Sequence, residues 1–189
     1  MIALDPRHPL LWTMPSVCSP EECEALVARI EAARPAPAPV TTAAGPVMRP
    51  DIRNNTRVVF DDAPLAEQLL DRVRPTLPAS MLGMHLSGAN ERFRCYRYEP
   101  GQRFAPHYDG AFVRSPEEQS LLTFIVYLNA GFVGGETAFL DAEKIIAPAT
   151  GTALLFQHHL LHEGRVVQSG VKYVLRTDVM YRSSSRRPG

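Results

Sequence analysis

His107-Tyr108-Asp109 sets an imidazole and a carboxylate two positions apart. That is the repeat at which side chains of an extended strand fall on the same side. A strand through this tripeptide turns both groups toward one interior and lets them share a metal ion. A third ligand must come from elsewhere, and Gln157-His158-His159-Leu160-Leu161-His162-Glu163-Gly164 offers three histidines. Two histidines and one carboxylate on one face of a metal leave three coordination positions open. This suits non-haem Fe(II) that binds a chelating co-substrate and oxygen together. Alone, His-X-Asp is a weak pattern that arises often by chance. Its weight comes from a histidine far downstream and a basic residue, Lys172, beyond that. The distance to Lys172 favours His162 over His158 and His159. The competing account makes these histidines ordinary hydrogen-bonding groups of the surface or core.

The rest of the chain must position them. Leu10–Met14 reads as a first strand. Ser19-Pro20-Glu21-Glu22 reads as a helix start, with Ser19 as N-cap, Pro20 at the first helical position and Glu22 closing a capping box. Cys23, Leu26, Val27 and Ile30 mark one apolar face, and the helix should stop before Pro35. Ala36–Pro50, rich in Pro, Ala, Thr and Gly, reads as a long loop. Arg53–Phe60 turns from polar to strand-like. Asp62 is placed to cap a second helix over Ala63–Arg74, with Leu65, Leu69 and Val73 inside and Pro75 ending it. From residue 91 the chain reads as strands: Arg92–Tyr98, Leu121–Leu128, Thr137–Leu140, Thr152–Phe156 and Tyr173–Tyr181, with turns at Gly134-Gly135 and Gly151. Two early helices followed by many short strands give an α+β class, helices packed on a β-sandwich or barrel.

With 189 residues, of which 45% are hydrophobic, the chain fits one globular domain that buries its own core. The formal net charge is +0, so nothing electrostatic points to nucleic acid or an anionic membrane. Cys18, Cys23 and Cys95 are scattered and odd in number, which argues against a disulfide framework or zinc knuckle and for a reducing compartment. No apolar stretch approaches a membrane span, and the N-terminus lacks a signal-peptide pattern. A cytoplasmic protein is expected. The basic, Ser-rich tail Arg182–Gly189 reads as a frayed terminus.

Residues from about 91 to 181 resemble the catalytic domain of the prolyl-4-hydroxylase-like Fe(II)- and 2-oxoglutarate-dependent dioxygenases. The matches run in order: Tyr98-Glu99-Pro100-Gly101, His107-Tyr108-Asp109, Tyr127-Leu128-Asn129, Gly134-Gly135-Glu136-Thr137, Pro148 through Gly151 to Leu155-Phe156, His162, and Gly170-Val171-Lys172-Tyr173. Together they are far more specific than any one of them. The resemblance implies a double-stranded β-helix, or jelly-roll, core over residues 91–181, with residues 1–90 as helical support and substrate-side loop. It implies Fe(II) on His107, Asp109 and His162, with 2-oxoglutarate and O2 as co-substrates and ascorbate as an optional reductant. Lys172 matches the lysine that pairs with the distal carboxylate of 2-oxoglutarate, Tyr127 a tyrosine bonded to that carboxylate, and Tyr98 a tyrosine lining the co-substrate pocket. Thr137 is a further lining candidate. Arg176 departs from the pattern. A guanidinium grips a carboxylate through two parallel hydrogen bonds, so Arg176 competes with Lys172 as the anchor, with Lys172 then nearer solvent.

Acceptor-substrate candidates are Arg53, Asn55, Arg57 and Arg103, with Tyr108, Phe112 and Arg114 near the mouth. Phe112–Gln119 reads as a loop suited to a lid. Phe104 and Phe139 read as core, and Trp12 as packing. The expected activity is hydroxylation of a protein side chain such as proline, with release of succinate and CO2. The alternatives are hydroxylation of a free amino acid or small metabolite, a non-catalytic jelly-roll binding module, and a cupin-type protein using another metal. Neutral charge lowers nucleic-acid demethylation. The partner is thus a peptide or small-molecule substrate.

Overall fold

The computed structural model describes residues 4–42 and 45–184. The first helix, α1, spans Pro20–Ala32 and begins as its sequence dictates. The Ser19 hydroxyl accepts from the Glu22 N–H (3.2 Å), and the Glu22 carboxylate accepts from the Ser19 N–H (2.9 Å). Cys23, Leu26 and Ile30 are its buried face. The second helix, α2, spans Ala63–Val73, with the Asp62 carboxylate accepting from the Leu65 N–H, and buries Ala66, Leu69, Leu70 and Val73. It gives way to a 3-10 turn over Arg74–Thr76, because Pro75 cannot continue the α-helical hydrogen bonds.

Both helices cover the outer face of the main antiparallel sheet. Its central order is Leu11–Met14, Ala153–Gln157, Glu118–Tyr127, Lys172–Ser183, Arg92–Tyr98, Thr56–Asp61 and Ala36–Pro37. A smaller sheet, in the order Lys144–Ile146, Thr137–Phe139, His162–Gly164 and Phe104–His107, faces its inner side and completes the jelly roll. Alternation divides each central strand between two cores. Phe93, Cys95, Leu122, Phe124, Val126, Leu175 and Val179 pack under the helices. Tyr96, Tyr98, Ile125, Tyr127 and Val174 point the other way, into the roll. The register aligns these inward rows: Lys172 lies beside Tyr98, and Val174 lies between Tyr96 and Tyr127. Burial on both faces is why Leu121–Leu128 reads as a continuous apolar run.

Four expectations change. Ala36–Pro50 is not a plain loop. Ala36–Pro37 pairs at the sheet edge, where a proline's missing N–H is tolerated, and Val40–Thr42 pairs with Gly45–Val47. Phe112–Gln119 is not a loose lid. Val113–Ser115 pairs with the start of Glu118–Tyr127, and the Phe112 N–H donates to the Ser120 hydroxyl. Met84–Ala89 adds a strand beside Lys172–Ser183 where none was read. In the tail, Arg182 and Ser183 belong to that last strand, and Arg182 pairs with Glu118; residues 185–189 lie outside the described residues. Cys18, Cys23 and Cys95 are free and buried. No described helix is long and apolar enough to cross a membrane.

Gly151 joins the N-terminal segment to the roll. Its carbonyl accepts from the Val17 and Cys18 N–H groups, its own N–H donates to Tyr127, and its φ is +73°. A Cβ there would stand 2.1 Å from the Cys18 carbonyl oxygen. Gly151→Ala is expected to destabilise the protein by about 3 kcal/mol, read by urea denaturation.

Candidate metal and co-substrate site

Two cross-strand neighbours of the smaller sheet start the site: His107 and His162 are register partners, with ring centroids 4.2 Å apart. Each ring is fixed by its own backbone. Nδ1–H of His107 donates to the Ala105 carbonyl (2.8 Å), and Nδ1–H of His162 to the Leu160 carbonyl (2.9 Å). A carbonyl only accepts, so both protons sit on Nδ1 and both Nε2 lone pairs are free. Burial, together with His162 alongside, pulls the His107 pKa down to about 3; burial also lowers that of His162. Both rings are therefore neutral near pH 7, the form that ligates metal.

Asp109 closes the triangle. Its carboxylate oxygens lie 3.7 Å from His107 Nε2 and 3.7 Å from His162 Nε2. The candidate ligand atoms of His107, Asp109 and His162 all fall within 4.8 Å of one another. The strand expected to carry both His107 and Asp109 ends at His107. Asp109 is held instead by its N–H donating to the His158 carbonyl (3.1 Å), by Arg176 Nη1 (3.1 Å) and by the Thr123 hydroxyl (2.7 Å). Burial pushes its carboxyl up, but Arg176 and the imidazoles outweigh that and hold it well below the usual carboxylate range.

His158, a rival for the third ligand, is wired as a support. Thr123 donates its hydroxyl proton to Asp109, so it accepts from His158 Nδ1–H (2.9 Å); His158 Nε2 then accepts from the Ser120 hydroxyl (2.7 Å). Burial lowers the His158 pKa to about 4, consistent with a neutral link. Thr123→Val removes the donor to Asp109 and strands the His158 N–H. We expect metal affinity to fall about 10–100-fold, measured by competition with a chelator. His159, the other rival, stands outside the triangle, its ring 6.3 Å from that of Tyr108.

A cavity runs inward from the triangle between Tyr98, Tyr127, Thr137, Lys172 and Arg176. Lys172 is 3% exposed, not nearer solvent as the Arg176 alternative required. Its ammonium, with three donors, makes one hydrogen bond, to the Gly135 carbonyl (2.6 Å), and lies 5.2 Å and 5.6 Å from the ring centroids of Tyr98 and Tyr127. Burial depresses its pKa to about 8, partly countered by Glu136. The Tyr127 and Thr137 hydroxyls share a hydrogen bond of 2.7 Å. Arg176 is engaged by Asp109 and Asp178 (3.4 Å).

On the outer side, a mouth of about 300 Å3 takes in Arg53 and Arg57. Asn55 is buried beneath it and accepts from Arg53 Nε (2.7 Å). Tyr108 and Phe112 line the mouth. Arg103 does not belong there: it binds the Asp51 carbonyl and borders a separate surface cavity with Glu136 and Glu163. Arg114 pairs with Glu91 and Glu118 instead. Tyr96 and Phe104 are among the lining residues to which the sequence assigns no site role. Tyr96 shares the inward row of Tyr98, which alternation alone could have indicated. Phe104, read as core, stacks on His107 at 3.5 Å.

The sequence pattern of the 2OG-Fe(II) oxygenase superfamily matches residues 93–177. The chain is 30% identical over 102 residues to a putative prolyl 4-hydroxylase of Acanthamoeba polyphaga mimivirus, covering 44% of this chain and 42% of that relative. It is 37% identical over 73 residues to probable prolyl 4-hydroxylase 11 of Arabidopsis thaliana, covering 35% and 24%. The matched segments thus span less than half the length of these curated relatives. Among solved structures, the viral collagen prolyl hydroxylase of Paramecium Bursaria Chlorella virus-1, in its 2OG complex, superposes with a TM-score of 0.69 at 24% identity, over 91% of this chain and 96% of that one. The superposition establishes the jelly-roll fold. Residues 93–177, the segment that is similar to the 2OG-Fe(II) oxygenase superfamily, contain the His-Asp-His triangle and the cavity leading inward from it.

Proposed function

We propose that the protein is an Fe(II)- and 2-oxoglutarate-dependent dioxygenase that hydroxylates a protein side chain such as proline. The observation that carries this reading is one cavity that joins a two-histidine, one-carboxylate triangle to a buried, under-bonded lysine. The donor set fits Fe(II): two neutral imidazole nitrogens and one ionised carboxylate on one side, the rest of the sphere open. In this reading His107, Asp109 and His162 hold the metal. Lys172 binds the distal carboxylate of 2-oxoglutarate, with Tyr98, Tyr127 and Thr137 around it. Arg176, committed to Asp109, fixes the carboxylate ligand. When bound together, iron, 2-oxoglutarate and O2 supply the oxidising chemistry that yields succinate, CO2 and a hydroxylated C–H bond, with ascorbate keeping the iron reduced. The protein's own work is to bind, orient and exclude water: Phe104, Ile125 and Val174 give the cavity apolar walls. No general acid or base is needed. The described residues before 91 support the roll and supply one wall of the mouth through Val40, Ile52 and Arg57.

The test is succinate formation from 2-oxoglutarate by purified protein with Fe(II), ascorbate and O2. Turnover above a metal-free control is expected even without acceptor. No turnover combined with no metal-dependent binding of 2-oxoglutarate would sink the reading and favour a binding module.

Lys172 adds a pH dependence. 2-Oxoglutarate binds the ammonium form, and free Lys172 loses its proton near pH 8. Affinity should therefore hold below pH 8 and fall above it, by about tenfold between pH 7 and 9. Calorimetry with Mn(II) in place of iron measures this, and a flat profile would exclude Lys172 as the anchor.

A further inference from the structure

Three buried side-chain atoms have no hydrogen-bond partner among the described residues: Arg53 Nη2, the Tyr96 hydroxyl and Arg176 Nε. All three residues line the mouth. Buried polar groups are almost always paired, so orphans gathered around one cavity point to a ligand that satisfies them. Arg53 is the most constrained of the three. It is 4% exposed, and its guanidinium carbon lies 4.2 Å from the ring centroid of Tyr96 and 4.3 Å from that of Phe104. Its Nε is tied to Asn55, which leaves Nη2 aimed at no protein acceptor.

The charges around it are unbalanced. Four arginines line the mouth: Arg53, Arg57, Arg94 and Arg176. Asp109 is the one acidic residue among its described lining. Arg94 is neutralised by Asp178 (3.0 Å), and Arg176 by Asp109 and Asp178. Arg53 and Arg57 are left over. Arg57 extends from the strand beside Tyr96, and the ionisable groups whose charge acts on it are Tyr96, Arg53 and Arg94, with no acid among them. Two guanidiniums without counter-ions, one set over the rings of Tyr96 and Phe104, form a receptor for a planar anion, and a carboxylate matches that fork.

We infer that the acceptor substrate carries a carboxylate, bound at the mouth by Arg53 and Arg57 while the carbon to be oxidised reaches past Phe104 toward the metal site. This rests on the oxygenase reading and adds the class of the substrate. The carboxylate is that of a small acid such as a free amino acid, or that of an acidic residue or C-terminus in a peptide. Asn55 acts as a positioning residue for Arg53.

The experiment uses protein loaded with Mn(II) and 2-oxoglutarate and calorimetry on matched pairs. These are L-proline and L-prolinamide, short proline peptides ending in acid or amide, and the same peptides with Glu or Gln beside proline. At least one carboxylate is expected to bind about tenfold or more tightly than its amide, the advantage of charge-assisted hydrogen bonds. Arg53→Gln and Arg57→Gln should each shrink that preference toward parity. Whether the free acid or a peptide wins identifies the source of the carboxylate. Parity in every pair, no binding by any carboxylate, or a preference that survives both substitutions would overturn the inference. If Arg53→Gln fails to fold, Arg57→Gln, on a half-buried strand position, carries the test. Succinate formation without acceptor, measured separately, reports on the oxygenase reading alone.

Discussion

Asp109→Ala is expected to lower Fe(II) affinity by at least about 100-fold and to bring 2-oxoglutarate turnover to background. Removing even an outer support of a ligand typically loses 10–100-fold, and this is the only anionic member of the triangle. The same variant should also unfold more easily. Asp109 is the nearer of the two carboxylates holding Arg176 (3.1 Å against 3.4 Å); Asp109 is buried, and the Arg176 side chain is only 12% exposed. Deleting one partner of a buried ion pair leaves a charge uncompensated and costs about 3 kcal/mol or more. His107→Ala gives the contrast. Its ring is neutral, lies at the edge of the mouth and is stacked on Phe104, so its loss should abolish metal binding as fully while costing only about 1 kcal/mol in metal-free stability. Metal titration and urea denaturation of the two metal-free variants measure both quantities. Equal metal affinity in wild type and either variant would remove the triangle as the metal site.

The contrast between these two candidate ligands was invisible before the fold. Their residue types and spacing carried the expectation that they meet, and the meeting point follows from strand register, which pairs His107 with His162. Asp109's surroundings depend on three segments distant in sequence. Thr123 and Arg176 come from neighbouring strands of the main sheet, and His158 from the turn after Ala153–Gln157. Nothing in a single sequence orders the protons along Ser120, His158, Thr123 and Asp109.

Long, periodic elements were legible. Both helices announced their caps, and the central strands their apolar runs. The smaller sheet was legible only in part: Thr137–Leu140 reads as a strand, but the three-residue strands Lys144–Ile146 and His162–Gly164 are too short to show a period. Ala36–Pro50 misled through its prolines, which mark a sheet edge as readily as a loop. Arg103 and Arg53 looked equivalent in sequence. Their difference is one of direction: Arg53 turns inward against Tyr96 and Phe104, while Arg103 turns outward to Asp51.

Lys172→Met separates binding from folding most sharply. Met has similar length and no charge, so the substitution keeps the stem packed against Tyr98 and Tyr127 and deletes the ammonium. Depressing a lysine pKa from 10.5 to about 8 means that holding the charge in the fold costs roughly 3 kcal/mol. The single hydrogen bond to the Gly135 carbonyl returns only about 1 kcal/mol of that. Without its co-substrate, the variant should thus be as stable as the parent or more so. Affinity for 2-oxoglutarate should move the other way and weaken about 100-fold, since a buried carboxylate loses its counter-charge. The dependence on pH between 7 and 9 should vanish with it. A variant that lost stability and kept its affinity would make Lys172 a packing residue and return the anchoring role to Arg176. A gain in stability with a loss of affinity would mean that the fold carries an unfavourable buried charge which the co-substrate relieves on binding.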